Sequence, residues 1–588
     1  MLKDDTSELD YYALLKKAKR LQSGSGQKLK IALLADVSTQ HLVPLLKVLF
    51  ASSGFDADIY EAGFDTIQLE ALNPASELYA FQPQLVVIIQ ATHKMRNLYY
   101  DFAGARSGFA QFQADEIESV WRSIQERLQI PIIQSTFAVP HERPFGNFSQ
   151  KVAGSLQGSI IDLNRQIFQR AQRYPSVFVS DVDNIAAWVG RSRFFDEKLW
   201  ALAKSLCALE HLPRVAQNVV DIGVACLGRS IKCVVLDLDN TLWGGVIGDD
   251  GLDGIGLGDL DEGGAFRNLQ LFLRELWSRG IILAVCSKNN EEIARRAFRE
   301  HTSMVLREEH IAVFVANWDD KASNILQIRE KLNIGLDSMV FLDDNPFERN
   351  LVRQLVPGII VPELPEDPAH YVRALSELNL FEATSQSALD SQRTAMYQEQ
   401  EQREQEAKKI GNLDDYLKSL DTVAVFERFT QRNLSRIAQL IQRSNQFNLT
   451  TRRYPQAQCE ALMNDANAYP FSITVKDRFG DFGLINVVVL QPRGDALEID
   501  TFLMSCRVLK RGVEQFAMNR IFEYARANNY KRVIGRYIPT AKNVMVQNFY
   551  KEFDFAEVPG AEEGTVWSKD VTTYEPHAIF IREESPTT

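Results

Sequence analysis

The sequence predicts an α/β protein of three domains, and three observations predict it. The chain has 588 residues, more than one hydrophobic core normally serves. Its first part, over about 200 residues, alternates short apolar runs with helical patterns, the signature of a parallel sheet. In the middle, the stretch from Ile231 to Gly251 reads IKCVVLDLDNTLWGGVIGDDG. There a β-branched run, Cys233 to Leu236, gives way at once to two aspartates, Asp237 and Asp239, which marks a buried strand ending in a polar site.

Composition sets the limits. Hydrophobic residues make up 45% and charged residues 24%, ordinary values for a globular chain. A net charge of −12 and a pI near 5.4 argue against a general nucleic-acid binder. They leave room for a local basic patch that meets an acidic partner. The opening MLKDDTSELDYY lacks the apolar core of a signal peptide, and no later run is long enough to span a membrane. The six cysteines (207, 226, 233, 286, 459 and 506) are scattered without CxxC or CxxH pairing, so reduced thiols in a cytoplasm are expected.

Taken in order, residues 1–227 form the first domain. Strands are expected at Leu29–Asp36, Leu85–Gln90, Ile130–Gln134 and Val177–Val179, with a helix over Gln40–Ser53. Residues 228–375 form the second domain. After its first strand, GGVIGDDGLDGIGLG is glycine-rich and too irregular for a helix; a helix follows over Ala265–Gly280. Strands at Ile281–Val285, Ile311–Val315 and Met339–Leu342 complete it. Residues 376–421 are polar, and Tyr397–Lys409 reads as a solvated helix or linker. The last domain, 422–588, mixes strands (Val423–Phe426, Ser472–Lys476, Gly483–Leu490, Ala496–Leu503) with helices over Arg436–Ser444 and from Gly512 onward.

The chemistry sits at the strand ends of the second domain. In an extended chain residues i and i+2 point the same way, so Asp237 and Asp239 face one site where open α/β sheets bind ligands. Two like charges that close need a cation between them, or one stays protonated. Mg²⁺ fits, as it takes carboxylate oxygens together with substrate phosphate. Ser287 ends the next strand, where by itself it would more often cap the helix starting near Glu291. Lys321 stands at a helix start, and Asp343 and Asp344 end the last strand.

DLDNTLW after a buried strand resembles the first motif, DxDxT, of the haloacid dehalogenase superfamily of phosphotransferases. The longer DLDNTLWGGVIGDDG resembles that superfamily's FkbH-like branch. Ser287, Lys321 and the pair Asp343–Asp344 supply the superfamily's three further motifs in order. The resemblance implies a Rossmannoid core with a small β-hairpin flap over the site. It implies that Asp237 attacks phosphorus, that Asp239 is the general acid/base, and that Ser287 and Lys321 hold the phosphoryl oxygens. Asp237, Asp239, Asp343 and Asp344 would hold Mg²⁺, with the choice between Asp343 and Asp344 as direct ligand left open. Thr241, Lys288, Asn289 and Asn345 would contact a small phosphorylated substrate.

Cys286-Ser287-Lys288-Asn289 also resembles the FkbH-like glyceryl transferases, in which a cysteine carries an acyl group. On that resemblance Cys286 takes a glyceryl group from 1,3-bisphosphoglycerate and passes it to the phosphopantetheine thiol of an acyl carrier protein. The chemistry is sound, since a thiolate near Lys288 and a helix N-terminus would have a lowered pKa. It requires the strand to break before Cys286, because adjacent strand residues point to opposite faces. A plain phosphatase in which Cys286 only packs is the alternative. A docking scaffold in polyketide or surface-polysaccharide assembly is another.

The outer domains resemble known folds without their full chemistry. The first looks like an SGNH-hydrolase domain, yet the expected GDS reads Ala35-Asp36-Val37-Ser38, and Asp196-Glu197-Lys198-Leu199 lacks the motif's histidine. Ser38 without a base would be inert, and His41 and His141 are the candidate replacements. The last domain resembles the GNAT acyltransferase fold. Leu509 and Glu514 stand at key places of its pyrophosphate loop, and Glu514 would repel a pyrophosphate. Asn543 and Tyr550 resemble the region of the GNAT tyrosine. Arg507, Lys510 and Arg511 form a basic cluster that could meet an acidic carrier protein.

Overall fold

The computed structural model describes residues 9–21, 24, 26–384, 394, 397, 399, 403, 406, 412–444, 446–505, 508–540, 542–559 and 563–586. The chain is α/β, as expected, and divides into two compact units, Met1–Leu227 with Glu382–Thr384 and Gly228–Phe381 with Ser385–Thr588. Most of the polar stretch Tyr397–Lys409 lies outside the described residues.

The first unit is built on five parallel strands: β1 (Gln27–Ala35), β2 (Phe55–Glu61), β3 (Leu85–Ile89), β4 (Ile132–Ser135) and β5 (Val177–Ser180). Their order is β2-β1-β3-β4-β5, a doubly wound sheet. The continuous apolar runs follow from burial on both faces. Leu29, Ile31 and Leu33 enter one core cluster, whereas Ala32 and Leu34 enter the other. The sequence reading missed β2 (FDADIYE), since this edge strand buries only Phe55 fully and so shows no apolar run.

At the carboxyl end of β1, Asp36 is 1% exposed. Its Oδ1 accepts the Ala91 N–H at 2.7 Å, which ties the ends of β1 and β3 together. Its Oδ2 has no partner among the described residues. Burial outweighs the Ala91 hydrogen bond and the nearby Lys94, and raises the carboxyl's pKa to about 7.

The second unit holds two sheets. The first has four parallel strands, β6 (Cys233–Leu236), β7 (Ile282–Ser287), β8 (Ile311–Ala316) and β9 (Met339–Leu342), in the order β8-β7-β6-β9. Alternation again divides the side chains. Val234, Leu236, Leu283, Val285, Val340 and Leu342 face one core, and Cys233, Val235, Ala284, Cys286, Met339 and Phe341 face the other. Because all four strands are parallel, their carboxyl ends share one edge, which is where the polar motifs lie.

The glycine-rich stretch after β6 departs from the expected hairpin. Gly244 and Gly256 form a single antiparallel bridge, and a short helix, Ile247–Gly254, fills the loop between them, kinked at Gly251 with φ 70°. The Asp250 carboxylate starts that helix by accepting the Val246 N–H at 2.8 Å. Side-chain capping of this kind competes with hairpin pairing.

The other sheet has eight strands: β10 (Thr422–Arg428), β11 (Tyr469–Asp477), β12 (Gly480–Arg493), β13 (Ala496–Met504), β14 (Arg532–Tyr537), β15 (Ala556–Val558), β16 (Thr565–Asp570) and β17 (Ile581–Glu584). They are ordered β15-β16-β14-β13-β12-β11-β10-β17. Strands β13 and β14 are parallel and pair only from Ala496–Arg532 to Ile499–Gly535. Beyond that point the chain's own segment Phe447–Leu449 bonds to both. On the β13 side, the Leu449 N–H donates to the Phe502 carbonyl at 3.1 Å and the Met504 N–H to the Phe447 carbonyl at 3.0 Å. On the β14 side, the Ile538 N–H donates to the Leu449 carbonyl at 2.9 Å.

Asn543, fully buried, clamps this insert. Its Nδ2 donates to the carbonyls of Asn448 and Ile538, both at 2.9 Å, and its Oδ1 accepts the Thr540 N–H at 2.7 Å. Removing that amide leaves buried carbonyls and an N–H unpaired, each costing about 1–3 kcal/mol. Asn543→Ala should therefore lower unfolding stability by about 3 kcal/mol or more in a denaturant titration, whereas Lys551→Ala, on the surface, should stay within about 0.5 kcal/mol.

Asp36 predicts a pH effect. Its folded pKa lies above the ordinary carboxyl value, so between about pH 4 and pH 7 the folded state keeps a proton that the unfolded chain has lost. Stability should fall as pH rises through that window, by up to ~4 kcal/mol. Thermal unfolding followed from pH 5 to pH 8 should show this slope in the wild type and a flatter one in Asp36→Asn.

Candidate active site

The carboxyl edge of β6–β9 gathers four elements of the sequence. Asp237 follows β6 and is 6% exposed; Asp343 follows β9 and is fully buried. Lys321, the first residue of the helix Lys321–Leu332, lies between them, its Nζ 2.9 Å from Asp237 Oδ2 and 2.6 Å from Asp343 Oδ2. Ser287 ends β7 and is 2% exposed. Asp344 accepts from the Thr241 hydroxyl at 3.2 Å and returns its own N–H to that oxygen at 3.1 Å.

The electrostatics follow from crowding acids in a buried place. Burial, with the Asp237 charge behind it, raises the pKa of both Asp343 and Asp344. Burial works against the Lys321 ammonium, but Asp237 and Asp343 outweigh it and hold its pKa above the usual lysine value. Oxygens of Asp237, Asp343 and Asp344 lie within 4.8 Å of one another. Three carboxylates against one lysine leave an excess of negative charge, and carboxylate oxygens are the donors a hard divalent cation takes.

Asp239, also expected among the metal ligands, is not part of the Asp237–Asp343–Asp344 group, and three donors hold its carboxylate. Oδ1 accepts the Trp243 indole N–H at 2.8 Å and the Ile247 N–H at 3.1 Å, and Oδ2 accepts the Asn289 amide at 2.8 Å. Burial raises its pKa against these hydrogen bonds. Asn289 thus contacts Asp239. The sequence reading missed Trp243; the signal was a tryptophan four residues after Asp239, within side-chain reach in a tight turn.

Cys286 is not in the opening. Strand β7 runs unbroken through Ser287, so the thiol keeps its alternate face and lies in the core with Ala322 and Ile325. It is fully buried, its Sγ is 3.7 Å from the Lys321 carbonyl, and burial pushes its pKa up rather than down. Lys288, expected to contact substrate, is paired with Glu348 at 2.6 Å. Asn345 is exposed and its Oδ1 accepts the Phe347 N–H at 2.9 Å, capping the helix Pro346–Leu355.

The outer-domain candidates are mostly absorbed by structure. Ser38 lines an open cavity of about 650 Å³ together with Val37, Thr39, Glu61, Phe64 and Lys204. His41 Nδ1 is 2.6 Å from the Tyr11 hydroxyl, and His141 is exposed. Sequence reasoning passed over His93, which is 3% exposed, stacked on Trp200 and 3.2 Å from Glu197.

Arg507 lies outside the described residues. Arg511 is 8% exposed and neutralised by Asp477 at 3.3 Å, so of the expected basic cluster only Lys510 is exposed among the described residues. Glu514 accepts the Lys510 N–H at 3.0 Å. Tyr550 is 1% exposed, its hydroxyl has no partner among the described residues, and its ring lies so close to Gly535 that a Cβ there would sit 2.2 Å from it.

Comparison with known proteins places this geometry. The family model described as FkbH, N-terminal domain, matches residues 30–224. No curated protein matches the chain. Among solved structures, the N-terminal part of protein BF1531 from Bacteroides fragilis, which contains a phosphatase domain complexed with Mg, is 38% identical. The match covers 64% of this chain and 99% of that one, with a TM-score of 0.61. A domain from Methanocaldococcus jannaschii matches at 11% identity over 26% of this chain and 99% of its own, with a TM-score of 0.22. The ribosomal-protein-S18-alanine N-acetyltransferase of Escherichia coli matches at 9% identity over 25% of this chain and 94% of its own, with a TM-score of 0.21. With 99% of the Bacteroides structure covered at 38% identity, and the FkbH N-terminal domain model matched over residues 30–224, the chain belongs to the FkbH family and carries a phosphatase-type domain of the haloacid dehalogenase superfamily.

Proposed function

We propose that residues 228–375 are a Mg²⁺-dependent phosphoryl-transfer domain acting on a small phosphorylated substrate. The observation that carries this reading is Lys321 held between Asp237 and Asp343, with Asp344 alongside. Asp237, Asp343 and Asp344 would hold Mg²⁺, which neutralises phosphoryl charge when bound, and the Mg in the Bacteroides relative agrees with that donor set.

A carboxylate oxygen of Asp237 attacks phosphorus, forming a P–O bond as the bond to the leaving oxygen breaks. Asp239 gives its proton to that oxygen. Water then attacks phosphorus, Asp239 takes the water's proton, and the bond to Asp237 breaks, releasing phosphate. Lys321 and Ser287 stabilise the equatorial oxygens, so that positioning and charge neutralisation supply the catalysis.

The family match favours a finer reading, in which the domain loads a glyceryl group from 1,3-bisphosphoglycerate onto an acyl carrier protein, in polyketide assembly or a related pathway. The packing of Cys286 counts against the thioester step of that reading, because the thiol must first leave the core. The outer domains, 1–227 of SGNH type and 422–588 of GNAT type, serve on our reading as docking modules. Acetyl transfer from a coenzyme A thioester is disfavoured in the last of these, since its strand notch is taken by Phe447–Leu449 and the loop before the helix Val513–Ala527 is taken by Glu514.

Incubation with Mg²⁺ and 1,3-bisphosphoglycerate, followed by intact-protein mass spectrometry and a phosphate assay, tests the reading. We expect phosphate release that chelation abolishes, that Asp237→Asn lowers by about 10³-fold or more, and that Cys286→Ala leaves unchanged. A glyceryl adduct present in the wild type, absent in Cys286→Ala and passed to an added carrier protein would instead establish the finer reading. Phosphate release persisting undiminished in Asp237→Asn would overturn the role of that aspartate.

A further inference from the structure

We propose that Trp243 and Asn289 are positioning residues for the proton transfers, acting through Asp239. The inference rests on Asp239 serving as the acid/base of the proposed function. Both side chains are buried, Trp243 fully and Asn289 to 4% exposure. A buried indole N–H needs an acceptor, and this one is given to Asp239 Oδ1 at 2.8 Å. Asn289 holds the other oxygen, Oδ2, also at 2.8 Å. Donors from two separate segments thus grip the carboxylate at both ends, which fixes its rotation.

The grip is anchored in turn. The Trp243 ring meets Phe298 edge-on, with centroids 6.1 Å apart, and Phe298 packs on Phe314 in the same manner at 5.5 Å. Asn289 follows the strand that delivers Ser287 and precedes Asn290, which caps the helix Glu291–Glu300 through the N–H groups of Glu292 and Ile293. Asp239 also accepts the Ile247 N–H, the first residue of the helix in the glycine-rich loop, so the reactive carboxylate and that loop share one support. A shift of an ångström in a group that hands over a proton is costly in rate, and this arrangement prevents it.

The test uses leaving groups of different quality. A leaving oxygen that is a weak base gains little from a general acid, and one that is a strong base gains much. With Mg²⁺ present, Trp243→Phe and Asn289→Ala should each lower kcat about 10-fold on an alkyl phosphomonoester, but less than about 3-fold on p-nitrophenyl phosphate, with KM unchanged. In an Asp239→Ala background neither substitution should cost anything further, because effects that run through one group do not add. Equal losses on both substrates, or losses that persist in the Asp239→Ala background, would assign both residues to packing alone and overturn the proposal. Should Trp243→Phe fail to fold, Asn289→Ala decides by the same criteria. A wild type that turns over neither substrate would refute the proposed function itself and this inference with it, whereas a working wild type whose variants respond equally refutes the inference alone.

Discussion

Mutual repulsion of carboxylates in a buried site is the constraint on which the central domain depends. Asp237, Asp343 and Asp344 are brought within ion-sharing distance by the ends of two adjacent parallel strands, β6 and β9, an arrangement that costs energy unless a cation answers it. Lys321 answers part of it from inside. Its ammonium reaches two of the acids from the start of a helix that a four-residue turn joins to β8. The charge that lysine leaves over is the opening for a divalent ion and a phosphoryl group. Parallel strands provide the shared edge, and the edge makes the charges meet.

Around this centre the chain spends much of its polar chemistry on itself. In the eight-stranded sheet, the gap opened between β13 and β14 is closed by an internal segment, and Asn543 is fully consumed in fastening it. Glu514 holds the N–H of Lys510 in its own loop. Such intramolecular strand addition satisfies the same backbone groups that an extended ligand would, so the gap needs no ligand to be closed. The central domain differs, since among the described residues Lys321 alone is paired with its Asp237 and Asp343.

The strand-end motifs were legible because each follows an apolar run whose length and β-branching mark it as buried. Asp237, Ser287, Lys321 and Asp343 could therefore be assigned to one edge from order alone. Edge strand β2 was not legible, as half-exposed strands carry no continuous pattern. The helix inside the glycine-rich loop was hidden for another reason: it starts on the carboxylate of Asp250 rather than on apolar spacing. The donors that hold Asp239 were not legible either, because alternation shows which side a residue faces and not which groups fold back onto it. Tyr550 and Asn543 matched a motif, and that both are buried, Asn543 as a hydrogen-bond clamp, was not legible in it. Cys286 turned on whether β7 breaks one residue early, and local sequence does not determine where a strand frays.

The sealed position of Cys286 has a use apart from catalysis. Cys207, Cys226, Cys233, Cys286 and Cys459 are all buried, so none presents a reactive surface thiolate. A thiol reagent can reach Cys286 only when the end of β7 parts from the Lys321 helix. The rate of its modification is therefore a clock for local opening at the catalytic edge, and a ligand that cross-links the acids across that edge slows the clock without touching the sulfur.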